Sequence, residues 1–461
     1  MKSRMQRRAF LRRAVGGGVG LLILKNSQSV CTAQANEKLN IALIGVGGRG
    51  TWFVDTIPQM ENVVAICDVN DQRAAESYQK LPNTPRFYDF RQMLQEMQDT
   101  IDAVIIAAPD HIHAPASLHA MRLGKHVYCE KPLTRDVRES RAMRETAREK
   151  QVATQLGNQG TAHPAFRRSV ELIEDGVLGE IRDVYVVKDG GGTGPRPRPT
   201  TEEPVPEWLK WDLWLGPCQF RPYNRQWTQW HSWRDFGTSQ LGNWATHTAN
   251  LAFKALNIDW LWFAHRAVGP PRMLRIEAKV SEIDHDSFPK WEMIRWDIPA
   301  RGDLPPVTFH YYNGSAAPGA REEVEQLLGR KLDWGDAGAR KWEDHAALLI
   351  VGSEARLYGN GHNTVCQLIR DGTVEPITEP PQRLPRSPGH EREWLNACRG
   401  GDPAMSNFDY GGPLVEFLML GNLSTQFDHA IEFDPIACQV TNDEEADKAL
   451  LRAPYREGWT L

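Results

Sequence analysis

The first decisive feature of the chain is Leu39-Asn40-Ile41-Ala42-Leu43-Ile44-Gly45-Val46-Gly47-Gly48-Arg49-Gly50, an apolar run that leads directly into a glycine-rich turn. The run predicts a buried strand, and Thr51 to Met60 after the turn predict a helix. A second apolar run, Val63–Cys67, ends at Asp68, 18 residues after Gly50. This combination predicts a dinucleotide-binding βαβ unit, and a glycine-rich turn in an unrelated α/β domain is the alternative.

Each glycine of the turn has a physical role in that interpretation. Gly45 permits the tight turn, Gly47 lets the backbone approach a pyrophosphate, and Gly50 allows the helix to pack closely on the strand. The start of the helix offers free N–H groups to the phosphates. Asp68 can accept hydrogen bonds from ribose hydroxyls and would repel a 2′-phosphate, so NAD is favoured over NADP. Arg73, close in sequence, is the feature that argues for NADP.

Two further predicted strands continue the pattern. The first is Ile101–Ala108, which is followed by Pro109-Asp110-His111-Ile112-His113 and a predicted helix at Ala116–Leu123. The second is His126–Cys129, which is followed by Glu130-Lys131-Pro132. Ligands of parallel sheets bind at the carboxyl ends of the strands, where Asp68, His113 and Lys131 all fall. Residues 39–156 are therefore predicted to form one Rossmann domain with a doubly wound parallel sheet.

The composition excludes several classes of protein. The 461 residues carry a formal net charge of −5, with 41% apolar and 25% charged residues, as is typical of a globular chain of two or three domains. The mild acidity argues against nucleic-acid binding, and no apolar run reaches the roughly 18–20 residues of a membrane span. Six cysteines follow residue 35 without a C-x-x-C pair, so neither a metal site nor a disulfide framework is predicted.

The charge is concentrated at the N-terminus. Residues 1–35 contain seven basic and no acidic side chains, which leaves 47 basic against 59 acidic residues, a net charge of −12, in the remainder. Arg7-Arg8-Ala9-Phe10-Leu11-Arg12 resembles the twin-arginine export motif, and Ala33-Gln34-Ala35 resembles a cleavage site. Residues 1–35 are thus predicted to be a signal peptide read by export machinery, with a periplasmic or otherwise exported protein as the result. The alternative is a basic amphipathic helix on a membrane surface, which the glycines within 16–20 disfavour.

The order of several motifs resembles the Gfo/Idh/MocA (glucose–fructose oxidoreductase / inositol dehydrogenase) family. Besides the turn at Gly45–Gly50, these motifs are Ala108-Pro109-Asp110, Gly124-Lys125-His126-Val127, Glu130-Lys131-Pro132, Gly176-Val177-Leu178-Gly179-Glu180-Ile181, Trp211-Asp212-Leu213-Trp214-Leu215-Gly216-Pro217, Ser406-Asn407-Phe408-Asp409-Tyr410 and Tyr455-Arg456-Glu457-Gly458-Trp459. The last three resemble an exported subgroup. The resemblance implies a second, α+β domain with an open, mostly antiparallel sheet, here residues 157–461.

The residues support this second domain independently. Five strand-like runs are joined by loops rather than by regular helices, which favours antiparallel pairing. These runs are Ile181–Val187, Met273–Val280, Glu292–Ile298, Val307–Tyr312 and Ala347–Val351. In relatives the free face of the sheet often meets another subunit, so the resemblance also implies a homo-oligomer.

The resemblance implies two catalytic residues, Lys131 beside the nicotinamide and His247 as acid–base. Both suit the oxidation of a secondary alcohol, because a lysine can hold the alcohol oxygen and a histidine titrates near neutrality. Many relatives have an aspartate four residues before the histidine, where this chain has Asn243. An amide cannot titrate, so Asn243 is predicted to share a helix face with His247 and to position the substrate.

The predicted site combines two sets of residues. The cofactor set is Gly45, Gly47, Gly48, Arg49, Gly50, Asp68, Pro109, Asp110, His113, Glu130 and Lys131. The substrate set is Lys131, Asn158, Gln159, His163, Trp230, Trp233, Asn243 and His247. The two tryptophans come from residues 208–262, which hold nine of the 16 tryptophans. Indoles stack on sugar rings, although most of these nine are expected in the core.

Together these features predict an NAD-dependent oxidoreductase that moves a hydride between bound NAD(H) and a sugar or polyol. One alternative is a glycosidase that uses NAD for transient oxidation of the sugar, and another is a non-catalytic sugar-binding protein. Because no pool of free NAD is expected outside the cytoplasm, an exported enzyme of this kind is predicted to keep its NAD bound through turnover.

Overall fold

Two β-sheets organise the protein. A computed structural model describes residues 38–190, 194–266, 272–314, 316–332, 345–377 and 381–461. The predicted signal peptide lies outside the described residues. Within these ranges no helix is long and apolar enough to cross a membrane.

The first sheet is the predicted doubly wound sheet. Its strands are β1 (Asn40–Ile44), β2 (Asn62–Cys67), β3 (Arg86–Phe87), β4 (Ala103–Ile106), β5 (His126–Cys129) and β6 (Thr154–Leu156). All neighbours are parallel, in the order β3-β2-β1-β4-β5-β6. Strand β4 is buried at every residue, as expected of a parallel strand covered on both faces. The order reverses between β1 and β4, which is where such sheets bind ligands.

The second sheet has ten strands and confirms the predicted fold class. Its strands are β7 (Ile181–Lys188), β8 (Leu274–Val280), β9 (Glu292–Ile298), β10 (Val307–Asn313), β11 (Ala346–Gly352), β12 (Arg356–Asn360), β13 (Cys366–Arg370), β14 (Thr373–Glu375), β15 (Ile431–Asp434) and β16 (Gln439–Val440). Neighbours in the order β14-β13-β12-β11-β7-β10-β9-β8-β15-β16 pair antiparallel, except β7 and β10, which are parallel. All five predicted strands are present.

Helices cover both sheets. They are α1 (Gly50–Thr56), α2 (Asp71–Lys80), α3 (Phe90–Glu96), α4 (Asp110–Arg122), α5 (Val137–Lys150), α6 (Pro164–Glu174), α7 (Trp211–Leu215), α8 (Thr246–Thr248), α9 (Asn250–Ala255), α10 (Ala320–Leu328), α11 (His390–Cys398), α12 (Phe408–Ser424) and α13 (Glu444–Lys448). A π-helical turn, Leu241–Ala245, directly precedes α8.

The C-terminal part of the chain returns to the first sheet. Trp394 and Leu395 of α11 join the core beneath β1 and β4. Helix α12 packs along α5, and the fully buried Glu416 receives hydrogen bonds from Arg141 at 2.8 and 3.0 Å and from the indole of Trp262 at 2.7 Å. The two sheets therefore share a continuous interior.

Two helix boundaries differ from the sequence prediction. Helix α4 begins at Asp110 rather than at Ala116, because Pro115 lies inside the helix without ending it. A proline there removes one backbone hydrogen bond but leaves the preceding turn intact. The helix after the glycine turn ends at Thr56, and a 3₁₀ turn that contains Pro58 follows it.

Candidate active site

A cavity of about 680 Å³ lies at the carboxyl ends of the first sheet's strands, within the size range of ligand sites. Ten of the eleven predicted cofactor residues line it, and Gly50 is the exception. From the predicted substrate set, Lys131, Trp230 and Asn243 also line it.

The glycine turn lines the cavity and packs closely against the neighbouring backbone. Gly45 has a φ of +79°, and a Cβ there would lie 2.7 Å from the backbone of Ala107. A Cβ on Gly50 would lie 2.0 Å from the carbonyl oxygen of Gly45, so Gly50 serves the helix packing predicted for it and not the cavity wall. Only glycine fits both positions.

Asp68, at the end of β2, accepts hydrogen bonds from the backbone of the glycine turn. Its Oδ2 accepts the N–H groups of Val46 at 2.9 Å and Gly47 at 3.2 Å, and its Oδ1 accepts that of Asn70 at 2.9 Å. Burial raises the pKa of Asp68, and these N–H donors oppose the rise. A carboxylate has about four acceptor positions, so this one retains capacity for a ribose hydroxyl.

Lys131 is fixed by Asn243. Its Nζ donates to the backbone carbonyl of Asn243 at 2.9 Å and to the Oδ1 of the same residue. Burial lowers the pKa of Lys131, the charge of Arg49 adds to this effect, and Glu130 and Asp110 oppose it. The predicted positioning role of Asn243 thus acts on the lysine.

Glu130 organises the side of the cavity next to Lys131. Its Oε1 accepts Arg49 Nε at 2.8 Å and Gln159 Nε2 at 3.0 Å, and its Oε2 accepts the Lys131 N–H at 3.2 Å. Gln159, predicted as a substrate residue, is therefore joined to the site through Glu130. The pair with Arg49 ties the glycine turn to the end of β5.

Asp110 and His113 line the cavity from the first turns of α4. The Asp110 carboxylate accepts the Thr238 hydroxyl at 2.7 Å, and burial raises the pKa of Asp110 to about 7. The two ring nitrogens of His113 lie 2.7 and 2.8 Å from the carbonyl oxygens of Pro132 and Ala108. Both side chains are buried and hold the wall together.

His247 lies behind the wall and is not among the cavity-lining residues. Its ring stacks at a tilt on that of His362, with centroids 4.5 Å apart, and its Nδ1 has no hydrogen-bond partner among the described residues. Burial lowers the pKa of His247 well below its ordinary value, and Lys131 and His362 add to the shift. The predicted shared face of Asn243 and His247 assumes 3.6 residues per turn, whereas Asn243 sits in a π-helical turn.

Three predicted substrate residues lie away from the cavity. His163 is exposed and accepts the Ala165 N–H as the N-cap of α6. Trp233 is 1% exposed and donates to the Gln226 carbonyl at 2.8 Å, so it belongs to the core. Asn158 is fully buried and accepts the Ser406 hydroxyl.

Several lining residues were not predicted. They include Arg73, Tyr88, Trp208, Trp214, His231 and Trp459. Trp214 and Trp459 fall in motifs that carry the family resemblance. Those motifs could have pointed to the two tryptophans as site residues, but no role was predicted for them. Over the described ranges, no group of three or more His, Cys, Asp or Glu residues is arranged to hold a metal ion.

Residues 39–158 match the sequence profile described as "Oxidoreductase family, NAD-binding Rossmann fold", the GFO_IDH_MocA profile. The match covers the first sheet and the glycine turn. The matched residues are about a quarter of the chain, and over them the chain is similar to this family. The expected cofactor thus agrees with the geometry of the turn and of Asp68.

Individual proteins are similar to about a third of the chain. Levoglucosan dehydrogenase of Pseudarthrobacter phenanthrenivorans is 30% identical over 155 residues, which is 32% of this chain and 39% of that protein. A glycosyl hydrolase family 109 protein of Shewanella pealeana is 29% identical over 154 residues, 32% of this chain and 34% of that protein. The matches therefore span well under half of these relatives' length.

The likeness of fold extends further than the likeness of sequence. The structure of a levoglucosan dehydrogenase in complex with NADH superposes with a TM-score of 0.55 over 86% of this chain and 98% of that chain, at 17% identity. The fold shared with that structure therefore extends beyond residues 39–158.

Proposed function

We propose that this protein is an NAD-dependent oxidoreductase that moves a hydride between NAD(H) and a secondary alcohol or ketone of a sugar or polyol. One observation carries the proposal: Lys131 reaches the cavity at the end of β5, beside the glycine turn, with Asn243 holding its amine. The relatives named for sugar oxidation support the substrate class.

The cavity fits a dinucleotide. In the described ranges the N–H groups of Gly48 and Arg49 have no hydrogen-bond partner, and both residues line the cavity, so they are available to the phosphates. In this proposal the carboxylate of Asp68, at the end of β2, binds the adenosine ribose, and Lys131 lies on the opposite side of the turn. When bound, NAD supplies the carbon that accepts or returns the hydride.

Lys131 is arranged to take the proton of the substrate hydroxyl. A neutral amine has two N–H bonds and one lone pair, and the two oxygens of Asn243 accept two N–H bonds. The lone pair is then left for the substrate, and the lowered pKa of Lys131 favours this neutral form. In the other direction the ammonium form returns the proton.

His247 does not face the cavity, so we assign proton transfer to Lys131 and place His247 behind it. Its lowered pKa keeps the imidazole neutral next to the lysine. A neutral ring adds no second positive charge close to Lys131, which limits the electrostatic cost of the ammonium form.

The proposal is tested by Lys131→Met in a hydride-transfer assay over a panel of sugars and polyols. We expect NADH formation to fall by about 100-fold or more, since general acid–base groups contribute this much, while NAD still binds. Lys448→Met is the matched control, because Lys448 is exposed and distant from the cavity. Wild-type protein without hydride transfer to NAD on any member of the panel would falsify the proposal.

A glycosidase that oxidises its sugar transiently is the second candidate, favoured by the similarity to the glycosyl hydrolase family 109 protein. The two candidates differ in net reaction. Aglycone release from glycosides without added NAD, and without net NADH, supports the second candidate, whereas net NADH formation supports the first.

We further propose that the protein is exported and forms a homo-oligomer. The pattern Arg7-Arg8-Ala9-Phe10-Leu11-Arg12 supports export, and the family resemblance supports assembly through the outer face of the ten-stranded sheet. Replacement of Arg7 and Arg8 by lysine is expected to retain the protein in the cytoplasm. Light scattering on the purified protein measures its subunit number.

A further inference from the structure

Residues 208–236, here called the tryptophan segment, run along the edge of the cavity. Asn70 and Leu209 pair as an antiparallel bridge, and the adjacent backbone hydrogen bonds join Asp71 to Trp208 and Lys210 to Val69, both at 2.9 Å. The segment is thereby attached directly beyond Asp68, at the adenosine end of the predicted NAD site.

The other end of the tryptophan segment is attached to α4. The Nε2 atom of His111 lies 2.7 Å from the Trp214 carbonyl oxygen, at hydrogen-bond distance. The backbone N–H of His111 donates to the Phe236 carbonyl at 3.2 Å. Between these attachments, Trp211 and Trp214 stack with centroids 4.9 Å apart. The segment has its own buried core and spans from β2 to α4 as one packed unit.

Residues 452–461, here called the C-terminal strap, cross the tryptophan segment. Arg456 makes four hydrogen bonds to it: its N–H to Pro217 at 3.0 Å, its Nε to the Gly216 carbonyl at 2.6 Å, and its terminal nitrogens to the carboxylate and the carbonyl of Asp212, each at 2.6 Å. Such charge-assisted bonds are stronger than those between neutral groups. Arg456 therefore fastens the strap to α7.

The strap ends on the Rossmann domain. The indole of Trp459 meets the ring of Phe90 edge-on at 5.8 Å, and the guanidinium of Arg91 lies 4.2 Å above the indole. Arg91 also donates to the Gly458 carbonyl at 3.0 Å. Trp459 lines the cavity together with Phe90, so the strap closes the gap between the tryptophan segment and α3.

We propose that the tryptophan segment and the C-terminal strap form a cover over the adenosine of NAD, with Trp208 and Trp459 as its contact residues and Arg456 as its fastening. The cover keeps the cofactor bound between turnovers. This inference rests on the proposed use of NAD and adds residues that the glycine turn and Asp68 do not include.

The physical basis is that the cover is held on three sides. Release of the adenosine past it requires the loss of the backbone bridge at Asn70, of the His111 bonds to the segment, or of the Arg456 bonds to α7. A substitution of Arg456 removes its three side-chain bonds to the tryptophan segment and leaves the cavity lining unchanged, because Arg456 does not line the cavity.

The test measures dissociation of radiolabelled NAD from the full-length protein, chased with excess unlabelled NAD. Arg456→Ala and Trp459→Ala are each expected to release NAD at least about 10-fold faster than wild type, which corresponds to the loss of one charge-assisted bond or one buried ring contact. Trp291→Ala and Arg182→Ala are the matched controls, since both residues lie outside the cover and neither lines the cavity; Trp291 is half-buried like Trp459, and Arg182 is exposed.

Circular dichroism and the thermal midpoint of the NAD-free protein show whether each variant is folded, and Arg456→Lys and Trp459→Phe replace any alanine variant that is not. Folded variants that release NAD at the wild-type rate overturn the cover, although the oxidoreductase proposal stands. A wild-type protein that binds no NAD overturns both. Faster release confined to the cover variants supports the cover.

Discussion

The amine of Lys131 donates hydrogen bonds to both oxygens of Asn243, the backbone carbonyl at 2.9 Å and the side-chain Oδ1. The π-helical turn Leu241–Ala245 places these two acceptors together at the cavity. An asparagine in this position orients the lysine without adding charge, so it does not oppose the lowering of the Lys131 pKa by burial.

Asn243→Asp is expected to raise the pKa of Lys131 by about one to three pH units, because the carboxylate favours the ammonium form. Sugar oxidation needs the neutral amine, so the acidic limb of kcat/KM shifts to higher pH and the rate at neutral pH falls. A pH profile of kcat/KM measures this. The control Asn62→Asp adds the same charge on the surface, and an unchanged limb in Asn243→Asp contradicts the assigned role of Lys131.

Asp68→Ala is expected to weaken NAD binding by about 10- to 100-fold, because the variant loses hydrogen bonds from a charged acceptor. The affinity for NADP is expected to fall less or to rise, since the repulsion of a 2′-phosphate is removed while Arg73 stays at the cavity. Titrations with both cofactors, followed by protein fluorescence, give the ratio of Kd values. The control Asp71→Ala changes a nearby acid at the start of α2 that does not line the cavity. A ratio equal to that of wild type in Asp68→Ala contradicts this prediction.

Gly50→Ala is expected to lower the free energy of unfolding by about 1–3 kcal/mol, because its Cβ would meet the Gly45 carbonyl oxygen at 2.0 Å and the turn must shift. Urea unfolding measures the change. Gly359→Ala is the control, since its Cβ meets its nearest neighbour at an ordinary 3.5 Å, and a change below about 1 kcal/mol is expected there. Equal effects in the two variants would show that the close approach at Gly50 is unimportant.

Glu416→Ala is expected to destabilise the protein by about 3–5 kcal/mol, since it leaves the buried Arg141 and the indole of Trp262 without their shared acceptor. Thermal unfolding followed by circular dichroism measures the loss. Glu444→Ala removes one partner of an exposed pair, Glu444 with Lys448 at 3.9 Å, and should change stability by less than about 1 kcal/mol. A small effect at Glu416 would mean that the Arg141–Glu416 pair is not needed to hold α5 against α12.

The Rossmann sheet and the glycine turn were predictable because their signals are local. A parallel strand covered on both faces is a continuous apolar run in the sequence. The spacing of the glycines after β1 is enough to indicate that the backbone must turn tightly at Gly45. Five of the ten strands of the mixed sheet were predicted, β7 to β11. The parallel pairing of β7 with β10 was not, because partners so far apart in the chain leave no sequence signal.

Most of the predicted residues that line the cavity follow strands of the first sheet, and Trp230 and Asn243 are the exceptions. Asp68 and Lys131 sit at strand ends and line the cavity as expected. The family resemblance suggested His247, and the face that it was predicted to share with Asn243 was inferred from helical spacing, which the π-helical turn alters. His163 and Trp233 have residue types that suit sugar binding, yet one caps a helix and the other fills a core, and only long-range packing decides between such uses.

The return of α11 and α12 to the first sheet has a consequence for synthesis of the protein. Trp394 and Glu416 complete the interior around β1 and α5, but they leave the ribosome after almost nine-tenths of the chain has been made. Until then the apolar surface of the nascent N-terminal domain that these residues cover stays exposed. A transport system that accepts only folded cargo must therefore wait for translation to finish.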